Sequence, residues 1–287
     1  MANNLALATA LALLAYAVLW YRSRGKGHSP DSTRYLLMAE GHAQPSPYSR
    51  RWLLPMLLKS RRAWAIATGI AYVSIGPLIY ELTGSLACAW LALWLPGLTL
   101  GIRLPVLNDA VAMALMLGAA VACKHDQIAL AMVLVFVCGQ VKESAPIFGA
   151  LLCGHWLVGV AGLVSMAVAI GVGARSSAEP DAAHQISPFR VARAKHDPLD
   201  WKSMLLPWGS VAVFAVVLGV ELNTATVVAM VSVALGYGQL LIANDEPRLY
   251  QWSSAAVLVA LAPYMGGPWL VPLLVAHPFL CAQGKQV

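Results

Sequence analysis

Long apolar runs alternate with short polar breaks along nearly the whole chain. A transmembrane helix needs roughly 20 apolar residues, and runs approaching that length recur from residue 3 onward. They lie at residues 3–21, 63–82, 85–101, 105–123, 127–141, 146–173, 204–220, 223–243, 253–265 and 269–282. The pattern predicts an all-α, polytopic integral membrane protein with about nine or ten transmembrane helices, the number depending on whether residues 146–173 cross once or are broken.

The breaks between several runs are only two or three residues long, at 83–84, 102–104 and 124–126. Such short connections predict that neighbouring helices pack antiparallel. We find no internal repeat and no separate soluble stretch, so residues 1–287 are interpreted as a single transmembrane domain with two polar loops, 22–62 and 174–203.

The first polar loop, residues 22–62, has its own helical pattern. Ser29, Pro30 and Asp31 form a typical helix start, and Asp31 and Tyr35 are four apart, so they share a helix face. Gly41 is expected to end this helix. Residues 52–58 are apolar but too short to cross a bilayer, which favours a helix lying in the interface. The loop is therefore predicted to be amphipathic, with interfacial helices.

Composition supports the membrane interpretation. The chain is 59% hydrophobic and 11% charged, whereas soluble domains are about a quarter charged. Its net charge of +6 accompanies no nucleic-acid-binding motif, so the basic residues are interpreted as topology signals and as contacts with lipid headgroups. The five cysteines show no metal or redox spacing and are interpreted as buried small apolar residues.

Ionisable residues at membrane depth are costly and are therefore functional candidates. Asp109 lies just inside an apolar run, and Lys142 and Glu143 separate two others. Asp245 and Arg248 belong to a short polar segment, 244–248. The chain has no HExxH motif, no Walker motif and no GxSxG motif, so the best-known zinc, nucleotide and serine-hydrolase signatures are missing.

The first polar loop also carries a spaced pattern, and two shorter motifs follow later in the chain. The pattern is Asp31-x3-Tyr35-x2-Met38-Ala39-Glu40-Gly41, then Pro47-Tyr48-x-Arg50-Arg51-x-Leu53-Leu54-Pro55, and the motifs are Lys142-Glu143 and Asp245-x2-Arg248. In this order along an apolar chain they resemble elements of the GT-C-type polytopic glycosyltransferases. These membrane enzymes take sugars from polyprenyl-phosphate carriers.

The resemblance implies transfer of a hexose or pentose from a polyprenyl-phosphate carrier to an extracytoplasmic glycan, lipid or protein acceptor. It places the protein in a bacterial inner membrane, within the cell envelope, with its site facing outward. Asp31 stands at the position of the general base. Glu40 and Tyr35 would position the acceptor or a divalent cation, Mg²⁺ or Mn²⁺, which family members differ in requiring.

The resemblance also assigns the cationic side chains to the carrier phosphate, because a departing phosphate is stabilised by charged donors. These residues are Arg50, Arg51, Lys142 and Arg248. Glu143, Asp109 and Asp245 complete the candidate site. The chain departs from the family in being shorter than usual and in having Ser32 after Asp31, where paired acids are often found.

Topology conflicts with the resemblance. Residues 22–62 contain nine Lys or Arg against two acids, so the positive-inside rule places this loop in the cytoplasm, whereas the family places it outside. Two other functions remain open. One is a multi-span transporter or lipid flippase using Asp109, Lys142 and Glu143, and the other is a non-catalytic membrane subunit that binds a partner through residues 174–203.

Overall fold

The computed structural model describes residues 2–23, 30–45, 48–104, 106–176, 221–239, 246–267 and 270–282, and these residues form helices and turns without a strand. In chain order the helices are α1 (Ala2–Ser23), α2 (Pro30–Ala39), α3 (Leu53–Leu57), α4 (Arg61–Thr83), α5 (Leu86–Leu93), α6 (Pro96–Arg103), α7 (Asp109–Lys124), α8 (Ile128–Val141), α9 (Ala145–Cys153), α10 (Trp156–Ser176), α11 (Thr224–Gln239), α12 (Glu246–Leu261) and α13 (Leu270–Ala282). Two 3₁₀ turns cover Tyr48–Arg50 and Ala262–Tyr264. The all-α prediction is confirmed for this part of the chain.

Three helices are long and apolar enough to cross a membrane: residues Asn3–Ser23 of α1, all of α4, and Trp156–Arg175 of α10. The number of such candidates rises to four if α5 and α6, which are bent by 57° relative to each other, count as one span. Pro96 explains this bend, because proline disfavours helical backbone at the residue before it. The predicted span 204–220 and most of the predicted loop 174–203 lie outside the described residues.

The structure decides between two predicted alternatives and corrects one boundary. Residues 146–173 are broken into two helices, α9 and α10, because Gly154 adopts a left-handed conformation with φ +63° and ends α9. The polar segment 244–248 is not all loop, since α12 already begins at Glu246, with Pro247 in its first turn. Proline is well tolerated there because that N–H has no helical partner.

Local sequence signals set several other helix ends. Ser60 caps α4 by accepting a hydrogen bond from the Ala63 N–H at 3.2 Å, and Ser85 caps α5 through the Cys88 N–H at 3.3 Å. Gly41, with φ +94°, follows the end of α2 as predicted. The predicted interfacial segment 52–58 is largely the short helix α3.

The centre of the described structure is α7, which packs against α4, α8 and α9, while α10 packs against α8 and α9. Short connections make consecutive helices reverse direction. One end of this group, called here the loop end, contains the first residues of α4, α7 and α9 and the last residues of α8 and α10. The opposite end is called the far end. At the loop end the 3₁₀ turn Tyr48–Arg50 packs against α10.

Close helix packing depends on small residues. Gly139 of α8 faces Ser165 of α10 so closely that a Cβ there would overlap the serine hydroxyl. The neighbouring Gln140 side chain donates to Ser165 O at 2.9 Å and to Ser165 Oγ at 2.8 Å. Because α8 ends one residue later, at Val141, this contact fixes the position of Lys142 and Glu143 relative to α10.

Candidate functional site

Asp31 and Tyr35 lie one turn apart on α2 and both contact Tyr48, as their shared helix face predicts. The Tyr48 hydroxyl donates to Asp31 Oδ1 at 2.5 Å, and the Tyr35 and Tyr48 rings meet edge to face with centroids 5.7 Å apart. Tyr35 is fully buried and stacks on Trp64 of α4 at 5.8 Å. The aromatic contacts therefore hold the carboxylate of Asp31 at the edge of the helix group.

Arg51 joins this loop to a segment 92 residues later in the chain. Its guanidinium donates to both oxygens of Glu143, from Nε at 2.8 Å and from Nη2 at 3.0 Å. Nη1 donates to the Tyr35 hydroxyl at 2.9 Å. Both charged side chains are largely buried, at 11% and 15% exposure, so this is a two-pronged ion pair in a low-dielectric setting.

Burial and charge oppose each other at Glu143. Burial raises the pKa of this carboxyl group, but the Arg51 guanidinium, with a smaller contribution from Lys142, lowers it to about 2. Burial lowers the pKa of Arg51, and the nearby Glu143 and Tyr35 overcome this effect and raise it. Glu143 and Arg51 are therefore both charged at neutral pH.

Tyr48 keeps its proton for related reasons. Burial raises the pKa of its hydroxyl, and the hydrogen bond and negative charge of Asp31 raise it further. The hydroxyl therefore acts as a donor toward Asp31. Arg34, on the next turn of α2, places its guanidinium 4.8 Å from the centre of the Tyr48 ring, within cation–π range.

A second ion pair lies deeper, next to the first along the chain. Lys142 Nζ is 3.1 Å from Asp109 Oδ1, and the exposed fractions of the two side chains are 5% and 1%. Gln251 of α12 donates to the same Asp109 oxygen at 3.2 Å. Through these contacts the first polar loop, α7, the α8–α9 connection and α12 meet in one polar region. The charges alternate along it, from Arg51 through Glu143 and Lys142 to Asp109.

This polar region contains buried groups without a hydrogen-bond partner in the described structure. The side-chain N–H of Asn108 donates to Val141 O at 2.6 Å. The side-chain oxygen of Asn108 has no hydrogen-bond partner. The side-chain oxygen of Gln251 and the indole N–H of Trp252 are unpaired as well. Leaving a buried polar group unpaired costs about 1–3 kcal/mol, so such a concentration of polar groups is not explained by packing alone.

The remaining predicted site residues lie elsewhere. Arg50 packs along α10, where its Cγ lies 2.5 Å from the Cβ position that Gly173 lacks. Glu40 is exposed beyond the end of α2. Asp245 lies outside the described residues, and Arg248 belongs to the first turn of α12, with only its backbone described.

The described residues contain no cluster of three His, Cys, Asp or Glu side chains that could bind a metal ion. Of the two residues that the resemblance assigns to positioning an acceptor or a cation, Glu40 is exposed beyond the end of α2 and Tyr35 is buried within it.

Several members of the polar region were not predicted to belong to the site. Tyr48 belongs to the loop pattern but had no predicted role, and no role was predicted for Asn108, Gln140 or Gln251. The signal for these three residues was an amide side chain inside or beside an apolar run. Trp52 also helps to dock the loop, since its indole N–H donates to Gln140 Oε1 at 3.2 Å.

Comparison of this chain with protein-family models, with curated proteins and with solved structures finds no match.

Proposed function

We propose that this protein is a polytopic membrane glycosyltransferase of the GT-C type, which transfers a sugar from a polyprenyl-phosphate carrier to an extracytoplasmic acceptor. The observation that carries the proposal is the Arg51–Glu143 ion pair. It joins the two motifs whose combination resembles that family, although they lie 92 residues apart. Gln251, three residues after Arg248, links the helix of the third motif to Asp109.

In the proposed reaction the Asp31 carboxylate takes the proton of an acceptor hydroxyl. The acceptor oxygen then bonds to the anomeric carbon of the sugar, and the bond between that carbon and the phosphate oxygen breaks. Tyr48 holds the Asp31 carboxylate in place for proton transfer. Such a positioned base contributes about 10²–10⁴-fold in rate.

The cations of the polar region suit the carrier phosphate. Arg51 uses three of its five N–H groups on Glu143 and Tyr35, which leaves two for a phosphate oxygen. Lys142 lies beside Glu143 and adds positive charge. We assign phosphate stabilisation to these side chains, and the proposed reaction includes no metal-dependent step.

The proposal also includes several membrane crossings, a bacterial inner-membrane location and an outward-facing site. The three long apolar helices support the membrane part. They expose apolar side chains such as Leu13, Ile70 and Leu163, which suits contact with lipid tails.

Asp31→Asn tests the proposal. Full-length protein in lipid nanodiscs is given polyprenyl-phosphate carrying radiolabelled glucose or arabinose, with membrane extract as the acceptor source, and transferred label is counted. We expect Asp31→Asn to lose at least 10²-fold in kcat with unchanged thermal unfolding. Asp126→Asn is the matched control, because Asp126 is an exposed far-end residue with φ +58°, a conformation that asparagine also tolerates. Equal activity of the two variants would refute the role of Asp31.

The transporter alternative rests on a different observation, the deep burial of the Lys142–Asp109 pair. A transport function predicts solute flux in sealed vesicles that responds to Asp109→Asn and not to Asp31→Asn. Loss of sugar transfer in Asp31→Asn, together with a flux that Asp109→Asn leaves unchanged in the same vesicles, would argue against it.

A further inference from the structure

Cys123 and Cys153 are brought together at the far end of the helix group. Cys123 is the second-last residue of α7 and Cys153 is the last residue of α9. The two helices pack against each other and run in the same direction, from the loop end to the far end. The two thiols lie close enough to interact electrostatically, although 29 residues separate them in the sequence.

The two thiols have the same apolar neighbours. Both cysteines pack against the same small apolar cluster, formed by Ala119, Ala122, Ala131, Val135 and Val158. Both are also partly exposed. A reagent at the far end can therefore reach two thiols that pack against the same apolar cluster.

Cys88 and Cys138 differ on both points. Both residues are buried, and each thiol faces a backbone carbonyl: Leu258 O at 3.5 Å for Cys88 and Ala112 O at 3.3 Å for Cys138. These two fit the interpretation of cysteine as a small buried apolar residue. Cys123 and Cys153 do not.

We propose that Cys123 and Cys153 form a reversible disulfide, which makes the far end a redox modification site with a small-molecule disulfide as co-reactant. One thiolate attacks the small disulfide, releases one small thiol and forms a mixed disulfide. The second thiolate attacks the mixed disulfide and releases the other small thiol. Two protein thiols lose two hydrogens and two electrons, and the small disulfide gains them.

The bond would join the ends of α7 and α9 and enclose α8 in a covalent ring. It would act next to Gly154, where the chain turns from α9 into α10. Because the loop end is at the other end of these helices, the inference does not depend on the proposed glycosyltransferase function.

The test uses the full-length protein in non-denaturing detergent with oxidised glutathione. Free thiols are then blocked with N-ethylmaleimide, and the protein is digested with trypsin without reduction. Cleavage after Lys124 and Lys142 places the two cysteines on separate peptides. We expect a Cys123–Cys153 linked peptide, a loss of two hydrogen masses from the intact protein, and full reversal by reductant.

Single substitutions identify the partners. Cys123→Ser and Cys153→Ser should each abolish the linked peptide and leave a glutathione adduct on the remaining thiol, which shows that this thiol is still reachable. Cys138→Ser should keep the linked peptide. Separate glutathione adducts on Cys123 and Cys153 in the unmodified sequence, no reaction at either cysteine, or a link to another cysteine would overturn the proposal.

Discussion

Glu143 holds the first polar loop against the helices, since it is the carboxylate that neutralises the buried guanidinium of Arg51. Removing one partner of a buried ion pair leaves an uncompensated charge, which typically costs about 3–5 kcal/mol. We therefore expect Glu143→Gln to lower the free energy of unfolding by about that amount, measured by denaturant unfolding in detergent.

Glu81→Gln is the matched control for this substitution. Glu81 pairs with His125, whose side chain is 51% exposed, and exposed pairs contribute about 0–1 kcal/mol. Replacing both Arg51 and Glu143 by Met should restore much of the lost stability, because no charge is then left unpaired. Equal effects of Glu143→Gln and Glu81→Gln would show that the Arg51–Glu143 pair does not stabilise the loop.

The same carboxyl group gives a pH dependence with a defined sign. The pKa of Glu143 is lowered from the ordinary 4.5 to about 2 in the folded protein. Its contribution, about 3 kcal/mol from 1.36 kcal/mol per pKa unit, is complete above pH 4.5 and is lost as the pH falls toward 2. The stability difference between the unmodified protein and Glu143→Gln should therefore shrink over this range in acid unfolding curves. A constant difference would contradict the lowered pKa.

At the scale of elements, the 3₁₀ turn Tyr48–Arg50 depends on a glycine in α10. A Cβ on Gly173 would lie 2.5 Å from Arg50 Cγ and 3.1 Å from the Arg50 N and Cα atoms. Gly173→Ala should push the turn away and loosen the neighbouring contacts of Tyr48 and Arg51, at a cost of about 1–3 kcal/mol. We expect trypsin to cleave after Arg50 or Arg51 about 5- to 100-fold faster in this variant, as measured by mass spectrometry.

Gly171 provides the control for this element. It lies two residues earlier in the same helix, and an added Cβ there meets no atom within 4 Å. Gly171→Ala should leave the cleavage rate unchanged, and should stabilise α10 by up to about 1 kcal/mol because alanine favours helix. If both variants cleave at the same rate, the loop is not held by α10.

At the scale of the whole molecule, the two ends of the helix group are expected on opposite sides of the membrane. Helix α7 has 16 residues and is roughly 24 Å long at 1.5 Å per residue. Thr33 at the loop end and Asp126 at the far end are both exposed. With the native cysteines replaced by serine, Thr33→Cys should react with a membrane-impermeant maleimide in intact cells, and Asp126→Cys only after permeabilisation.

The reverse labelling pattern would follow the positive-inside rule and would remove the proposed outward-facing site. Labelling of both positions from the same side would instead contradict the antiparallel crossing of the helices. The experiment therefore decides between the basic charge of residues 22–62 and the family resemblance, which disagree on the side of the membrane.

The sequence by itself determined the local features of this protein. The length of the apolar runs predicted most helices, and the four-residue spacing placed Asp31 and Tyr35 on one face, because these signals act within a few turns of chain. The sequence also singled out Lys142, Glu143 and Asp109 as charges beside apolar runs, because charge at membrane depth is costly wherever it occurs.

Only the tertiary structure decided which distant residues meet. Arg51 and Glu143, Lys142 and Asp109, and Cys123 and Cys153 come from separate segments, and their contacts depend on how the helices pack and how far each side chain reaches. The structure also joins Arg51, predicted to contact phosphate, to a carboxylate of the chain itself. A sequence pattern does not distinguish these two partners, because ligand phosphate and protein carboxylate attract a guanidinium by the same charge and geometry.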